Sequence, residues 1–136
     1  MKIALAYWSM SGNTEAAANY IESCLNGHEV VVYPTGAYDG FNAQEYDALI
    51  FGCPAMGAEV LEENEFDPFF TSIETTLNNK TVALFGSYGW GDGQWMRDWQ
   101  DRAESDGANV VAAVSFNGPM DGNEAELDAL VKAVLN

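Results

Sequence analysis

The chain has 136 residues, 48% of them hydrophobic, which suits one domain around a real core and argues against disorder. Its formal net charge is −16, with only Lys2, Lys80, Arg97, Arg102 and Lys132 positive, so no basic footprint for nucleic acid exists. No apolar run approaches the roughly 18–20 residues that cross a bilayer. Met1-Lys2 leads straight into a strand-like run with no signal-peptide core, so a cytoplasmic protein without membrane association is expected.

Lys2–Tyr7 (KIALAY) reads as a buried strand, and Asn13–Asn26 as a helix stopped by Gly27. Glu29–Tyr33 (EVVVY) is a second strand, ended by Pro34. Residues Thr35–Glu45 are weakly patterned, and any helix there is short. Ala48–Cys53 (ALIFGC) is a third strand. Glu62–Leu77 follows as a helix, with Phe66, Phe69, Phe70, Ile73 and Leu77 at helical spacing; Pro68 is tolerated only in its first turn. Thr81–Gly86 (TVALFG) is the fourth strand, Gly93–Ser105 a helix with Trp95, Met96 and Trp99 along one side, Asn109–Val114 the fifth strand and Asn123–Leu135 the last helix.

Continuous apolar strands alternating with helices imply an α/β protein whose parallel sheet is covered on both faces. Five strands in this length fit a doubly wound three-layer sandwich of strand order 2-1-3-4-5, in one domain spanning residues 1–136. Ligands of such sheets bind outside the carboxyl ends of the strands. That places the site on loops Trp8–Asn13, Pro54–Leu61 and Ser87–Asp92, with a weaker contribution from Ser115–Pro119.

The first loop reads Ser9-Met10-Ser11-Gly12-Asn13-Thr14. Hydroxyls, one amide and the backbone N–H groups of a helix start suit a phosphate dianion. The alternative is an ordinary strand-to-helix turn capped by Ser and Asn. No Lys or Arg is near, and neither GxxxxGK[ST] nor GxGxxG is present, which disfavours nucleotide hydrolysis and a dinucleotide fingerprint. The second loop is Cys53-Pro54-Ala55-Met56-Gly57-Ala58-Glu59-Val60 and the third Ser87-Tyr88-Gly89-Trp90-Gly91-Asp92-Gly93. Glycines let a backbone approach a flat ligand, while Trp90 and Met56 offer stacking faces. Trp90 could equally be a tucked core aromatic, and Met56 ordinary packing. Cys24 and Cys53 read as small buried hydrophobes, and with a lone His28 they make no metal site.

Val82–Asp98 (VALFGSYGWGDGQWMRD), together with Trp8-Ser9, Gly12–Glu15, Gly57, Glu59–Glu62 and Glu65-Phe66, resembles the short-chain flavodoxins of anaerobic bacteria, and the likeness runs nearly the full length. The resemblance implies a low-potential one-electron carrier with non-covalent FMN, shuttling between semiquinone and hydroquinone and serving redox partner proteins. Ser9, Met10, Ser11, Gly12, Asn13 and Thr14 would form the loop that binds the phosphate, with Met10 a departure from the family's usual Gly-Thr-Gly. Met56 and Trp90 would flank the ring, and Glu59 would accept from its N3–H. Gly57 and Gly89 would touch the ring through their backbones, flanked by Ser87, Tyr88 and Gly91. Pro54, Ala55 and Asn117 would meet the ribityl chain.

Ala58 stands where this group commonly has Asp. The family's first reduction is thought to flip the peptide after Gly57 into a turn that puts positive φ on residue 58, which Ala tolerates less well than Asp. The strongly acidic chain is expected to be steered to basic docking surfaces and to act as a monomer. Against it stand an FMN-dependent NAD(P)H:quinone reductase, for which no insertion supplies a second pocket; a phosphorylatable receiver, which needs Asp where Gly52-Cys53 end the third strand; and a flavin-storage module.

Overall fold

In the computed structural model, which describes all 136 residues, the apolar runs form strands β1 (Lys2–Tyr7), β2 (Glu29–Tyr33), β3 (Ala48–Gly52), β4 (Thr81–Tyr88) and β5 (Asn109–Asn117). The helices are α1 (Asn13–Cys24), α2 (Phe66–Ile73), α3 (Gln94–Ser105) and α4 (Glu124–Leu135). Every strand pairing is parallel and the order is β2-β1-β3-β4-β5, the expected doubly wound sheet.

Alternate residues of each central strand enter opposite cores. Ala4, Ala6, Leu49, Phe51, Val82 and Leu84 pack on one face with Phe66 and Phe70 of α2 and Trp95 and Trp99 of α3. Ile3, Leu5, Ile50, Ala83 and Phe85 pack on the other with Ile21 of α1 and Leu127, Leu130 and Val134 of α4. Both faces being covered is why β1, β3 and β4 read as unbroken apolar runs.

Several helix and strand ends shift by a residue or two from the sequence reading, and the main departures have physical reasons. β4 continues through Ser87 and Tyr88, and β5 through Ser115, Phe116 and Asn117, because these residues pair in register with one another past the continuous apolar runs. A shift between Val82 and Ala83, opposite Val110 and Ala112, leaves Val111 as an extra residue on β5. The second helix starts at Phe66 rather than Glu62. The Glu62 carboxylate turns back to accept from the N–H groups of Asn64 (2.8 Å), Glu65 (2.7 Å) and Phe66 (2.8 Å). It supplies the partners that a helix start lacks. Pro68 then falls in the first turn, and Glu74–Thr76 continue as a 3-10 turn.

Candidate functional site

The end of β1 carries the chain into the Ser9–Thr14 loop. Gly12 sits at φ +98° and opens α1, a left-handed conformation that suits glycine. Ser9 N–H donates to Thr35 Oγ1 (2.8 Å), and Ser9 Oγ accepts from Glu15 N–H (3.1 Å). The backbone N–H groups of Met10, Ser11, Gly12, Asn13 and Thr14 have no acceptor within the protein. They form a set of free donors at the positive end of a helix.

The β3 and β4 ends close in beside this loop. A Cβ on Gly86 would lie 2.1 Å from the Cys53 carbonyl oxygen, so only glycine allows the approach. Trp95 Nε1 donates to the same carbonyl (3.2 Å), and Ala55 N–H to Ser87 O (3.0 Å). Thr14 and Ser87 share a buried hydroxyl–hydroxyl hydrogen bond of 3.3 Å, joining the first loop to β4. Burial pushes the Cys53 thiol well above its ordinary range, which leaves it an inert packing group.

These contacts surround a cleft of about 200 Å³ lined by Ser9, Met10, Ser11, Asn13, Thr14, Pro54, Ala55, Met56, Ser87, Tyr88, Gly89 and Gly118. Eleven of these twelve are residues singled out from the sequence. Gly118 is the addition; it follows β5 and donates from its N–H to Tyr88 O (2.9 Å). Its signal in the sequence was only membership of the weaker fourth loop. No Lys or Arg lines the cleft.

Gly12, Gly57, Glu59, Trp90, Gly91 and Asn117 lie outside that lining. Asn117 Nδ2 donates to Gly89 O at 3.5 Å, so it braces the third loop. Trp90 is 69% exposed and not a tucked core aromatic. Met10 is 74% exposed. Glu59 lines a neighbouring hollow with Trp95, Trp99 and Arg102 rather than the cleft. Its Oε1 is buried without a partner, and its carboxylate presses so closely on Gly91 that a Cβ there would meet it at 2.5 Å. Met56 and Val60 exchange N–H···O bonds of 2.8 and 3.0 Å, so the second loop is a small hairpin. Its left-handed positions are Gly57 (φ +43°) and Glu59 (φ +56°), and Ala58 is not among them.

A doubly wound parallel sheet with a cation-free donor loop and an exposed Trp at its carboxyl edge is an arrangement suited to a phosphorylated flat cofactor. The family model described as flavodoxin matches residues 5–134, and the chain belongs to the flavodoxin family. It is 40% identical over 134 residues to a flavodoxin of Megasphaera elsdenii (96% of each chain) and 44% over 130 residues to one of Clostridium beijerinckii (93% of this chain, 92% of the other). Among solved structures, two-electron reduced Megasphaera elsdenii flavodoxin superimposes with a TM-score of 0.85 at 39% identity, covering 97% of both chains. A flavodoxin from the domain Archaea gives 0.81 at 20% identity, a likeness of fold. As a flavodoxin, the chain is an electron carrier with FMN as its cofactor, not an enzyme.

Proposed function

We propose that the cleft is the FMN seat and that the chain, acting as one domain over residues 1–136, is a low-potential one-electron carrier. The observation that carries this is the run of unpartnered backbone N–H groups at Met10–Thr14 opening into a cleft without a cation. Such a donor set fits a phosphate that stays in place. Gly12, with the hydroxyls of Ser9, Ser11 and Thr14 and the amide of Asn13, completes it. The ribityl region falls to Pro54, Ala55 and Asn117, the last acting through Gly89. Met56 and the exposed Trp90 offer the two faces for the ring, and Gly57, Ser87, Tyr88, Gly89 and Gly91 its backbone surroundings. Glu59 takes up the N3–H only by leaving the hollow beside Trp99, which would give its unpartnered oxygen a donor.

The isoalloxazine supplies the one-electron chemistry when bound. The protein sets the field around it. Arg97 is paired with Asp92 (3.1 Å), Arg102 with Asp67 and Glu74 (3.0 and 2.9 Å), and Lys2 faces Glu29 (3.8 Å). These pairs leave most of the chain's carboxylate excess uncompensated, so adding negative charge at the cleft works against the field of the whole protein and the final potential is low. The same excess steers association toward redox partners with basic docking surfaces. No helix is long and apolar enough to cross a membrane. We infer a cytoplasmic monomer.

An absorption spectrum of the purified protein, followed by spectroelectrochemical titration, tests this reading. Flavin bands and two separate one-electron steps are expected. A colourless chain that takes up no added FMN, or a single two-electron step, would overturn it.

A further inference from the structure

Behind the phosphate loop, and outside the cleft, three segments meet on one carboxylate. Trp8 follows β1 and immediately precedes Ser9, and its indole Nε1–H donates to Glu65 Oε1 at 3.0 Å. Trp8 is only 7% exposed, so this N–H has little access to water. The other oxygen of Glu65 presses on Gly36: a Cβ there would meet Oε2 at 2.7 Å, and φ is +76°. The turn holding Gly36 also carries Thr35, whose hydroxyl accepts from Ser9 N–H (2.8 Å), and Tyr38, whose hydroxyl donates to Tyr7 O (2.8 Å). Glu65 is itself fixed. It occupies the N-cap position of α2, its side chain free of any capping bond, and its own N–H donates to the buried Glu62 carboxylate at 2.7 Å. Glu62 N–H in turn donates to Cys53 Sγ at 3.4 Å, closing the base of the 53–62 loop.

We propose that Glu65 is a positioning residue for the phosphate seat: through Trp8 and the Gly36 turn it holds the Ser9–Thr14 loop in its donor-presenting shape and ties that loop to the one carrying Met56. The inference rests on the phosphate assignment above. A carboxylate near a phosphate dianion is electrostatically unhelpful. Removing its charge alone therefore leaves binding unchanged or improved. Removing the acceptor strands a buried indole N–H, which costs more than the net worth of the bond and draws Trp8 toward water. Ser9 follows in the chain, so the displacement reaches the donor loop first.

The test titrates the apoprotein with FMN and, in parallel, with riboflavin, which carries the same ring and ribityl chain but no phosphate. Glu65→Leu is expected to weaken FMN binding about tenfold and riboflavin binding by less than about twofold. Glu65→Gln keeps an acceptor, so FMN affinity stays within about twofold of the parent or rises. Trp8→Phe supplies a second route should Glu65→Leu fold poorly. It weakens FMN selectively, and the Trp8→Phe/Glu65→Leu double variant is no weaker than the worse single one. The phosphorus NMR shift of bound FMN moves in both single variants. Equal losses for FMN and riboflavin would mean that Glu65 merely supports the fold, and an unchanged FMN affinity would mean that it does nothing here; either overturns the proposal. A parent chain that binds riboflavin as tightly as FMN sinks the phosphate assignment itself, and the proposal with it.

Discussion

Two residues show how local chemistry departs from what side-chain type suggests. Asp106 closes α3, where the negative end of the helix dipole meets a carboxylate, and one of its oxygens is buried without a partner. Burial and the adjacent Glu74 carboxylate push its pKa up to about 6 from the usual 3.8. An acid whose folded pKa is raised binds its proton more tightly in the native state. Its contribution is whole below about pH 4 and is lost as pH rises toward 6. Glu74 moves the other way, since Arg102 hydrogen-bonds it from Nε and Nη2, both at 2.9 Å, and lowers its pKa. Asp106→Asn is therefore expected to stabilise the protein by about 0.5–1 kcal/mol at pH 7 and by nothing near pH 3, read by urea denaturation at both values. Ala58 bears on redox behaviour instead. Where reduction demands a left-handed residue 58, a side chain costs roughly 1–2 kcal/mol, so Ala58→Gly should raise the first one-electron midpoint by tens of millivolts, on the order set by 59 mV per tenfold. An unmoved midpoint in a redox titration would remove Ala58 from the account. The composition of the second loop was plain in the sequence. The hairpin that puts Glu59 in the hollow was not, because it depends on the Met56–Val60 pairing and on Gly91 in the loop after the neighbouring strand β4.

Elements were legible to the extent that burial decides them. The five strands and the order of the sheet followed from apolar runs separated by helical spacing. The polar ends of β4 and β5 did not, because Ser87, Tyr88, Ser115 and Asn117 are held by ladder pairing, not by hydrophobicity. The start of α2 was misplaced because a Glu four residues before a helix reads as helix-forming, whereas Glu62 spends its carboxylate on capping. The contact between β3 and β4 shows why glycine recurs at strand ends. Gly86→Ala sets a methyl against the Cys53 backbone, which cannot swing aside as a side chain would. A loss of roughly 2–4 kcal/mol in unfolding free energy is expected, together with weaker FMN binding, since Pro54 and Ala55, which follow Cys53, line the cleft. Full stability of that variant would mean that the two strands do not approach so closely.

At the scale of the molecule, charge and shape act separately. The fold is set by two apolar layers, and a net charge of −16 works against its compactness through self-repulsion. The melting temperature is therefore expected to rise as sodium chloride goes from about 10 to about 500 mM, over which the screening length falls from about 30 Å to a few ångströms. A melting temperature that falls with salt would show that the few ion pairs, such as Arg102 with Asp67 and Glu74, outweigh the repulsion. Salt should also slow encounter with a basic partner while leaving the unimolecular electron step unchanged.

The four tryptophans divide unevenly. Trp8, Trp95 and Trp99 are buried in the core layer shared with α2, and Trp90 alone stands in solvent, in the loop after β4 and next to Gly89, which lines the cleft. That gives the protein a built-in optical gauge. Excited at the red edge of indole absorption, the empty chain should emit chiefly from Trp90 at long wavelength. Filling the cleft should extinguish that component first and leave the bluer emission of the buried three to decline more gradually. With Trp90→Phe the long-wavelength band should be missing from the outset, so occupancy could be followed in real time without watching the flavin.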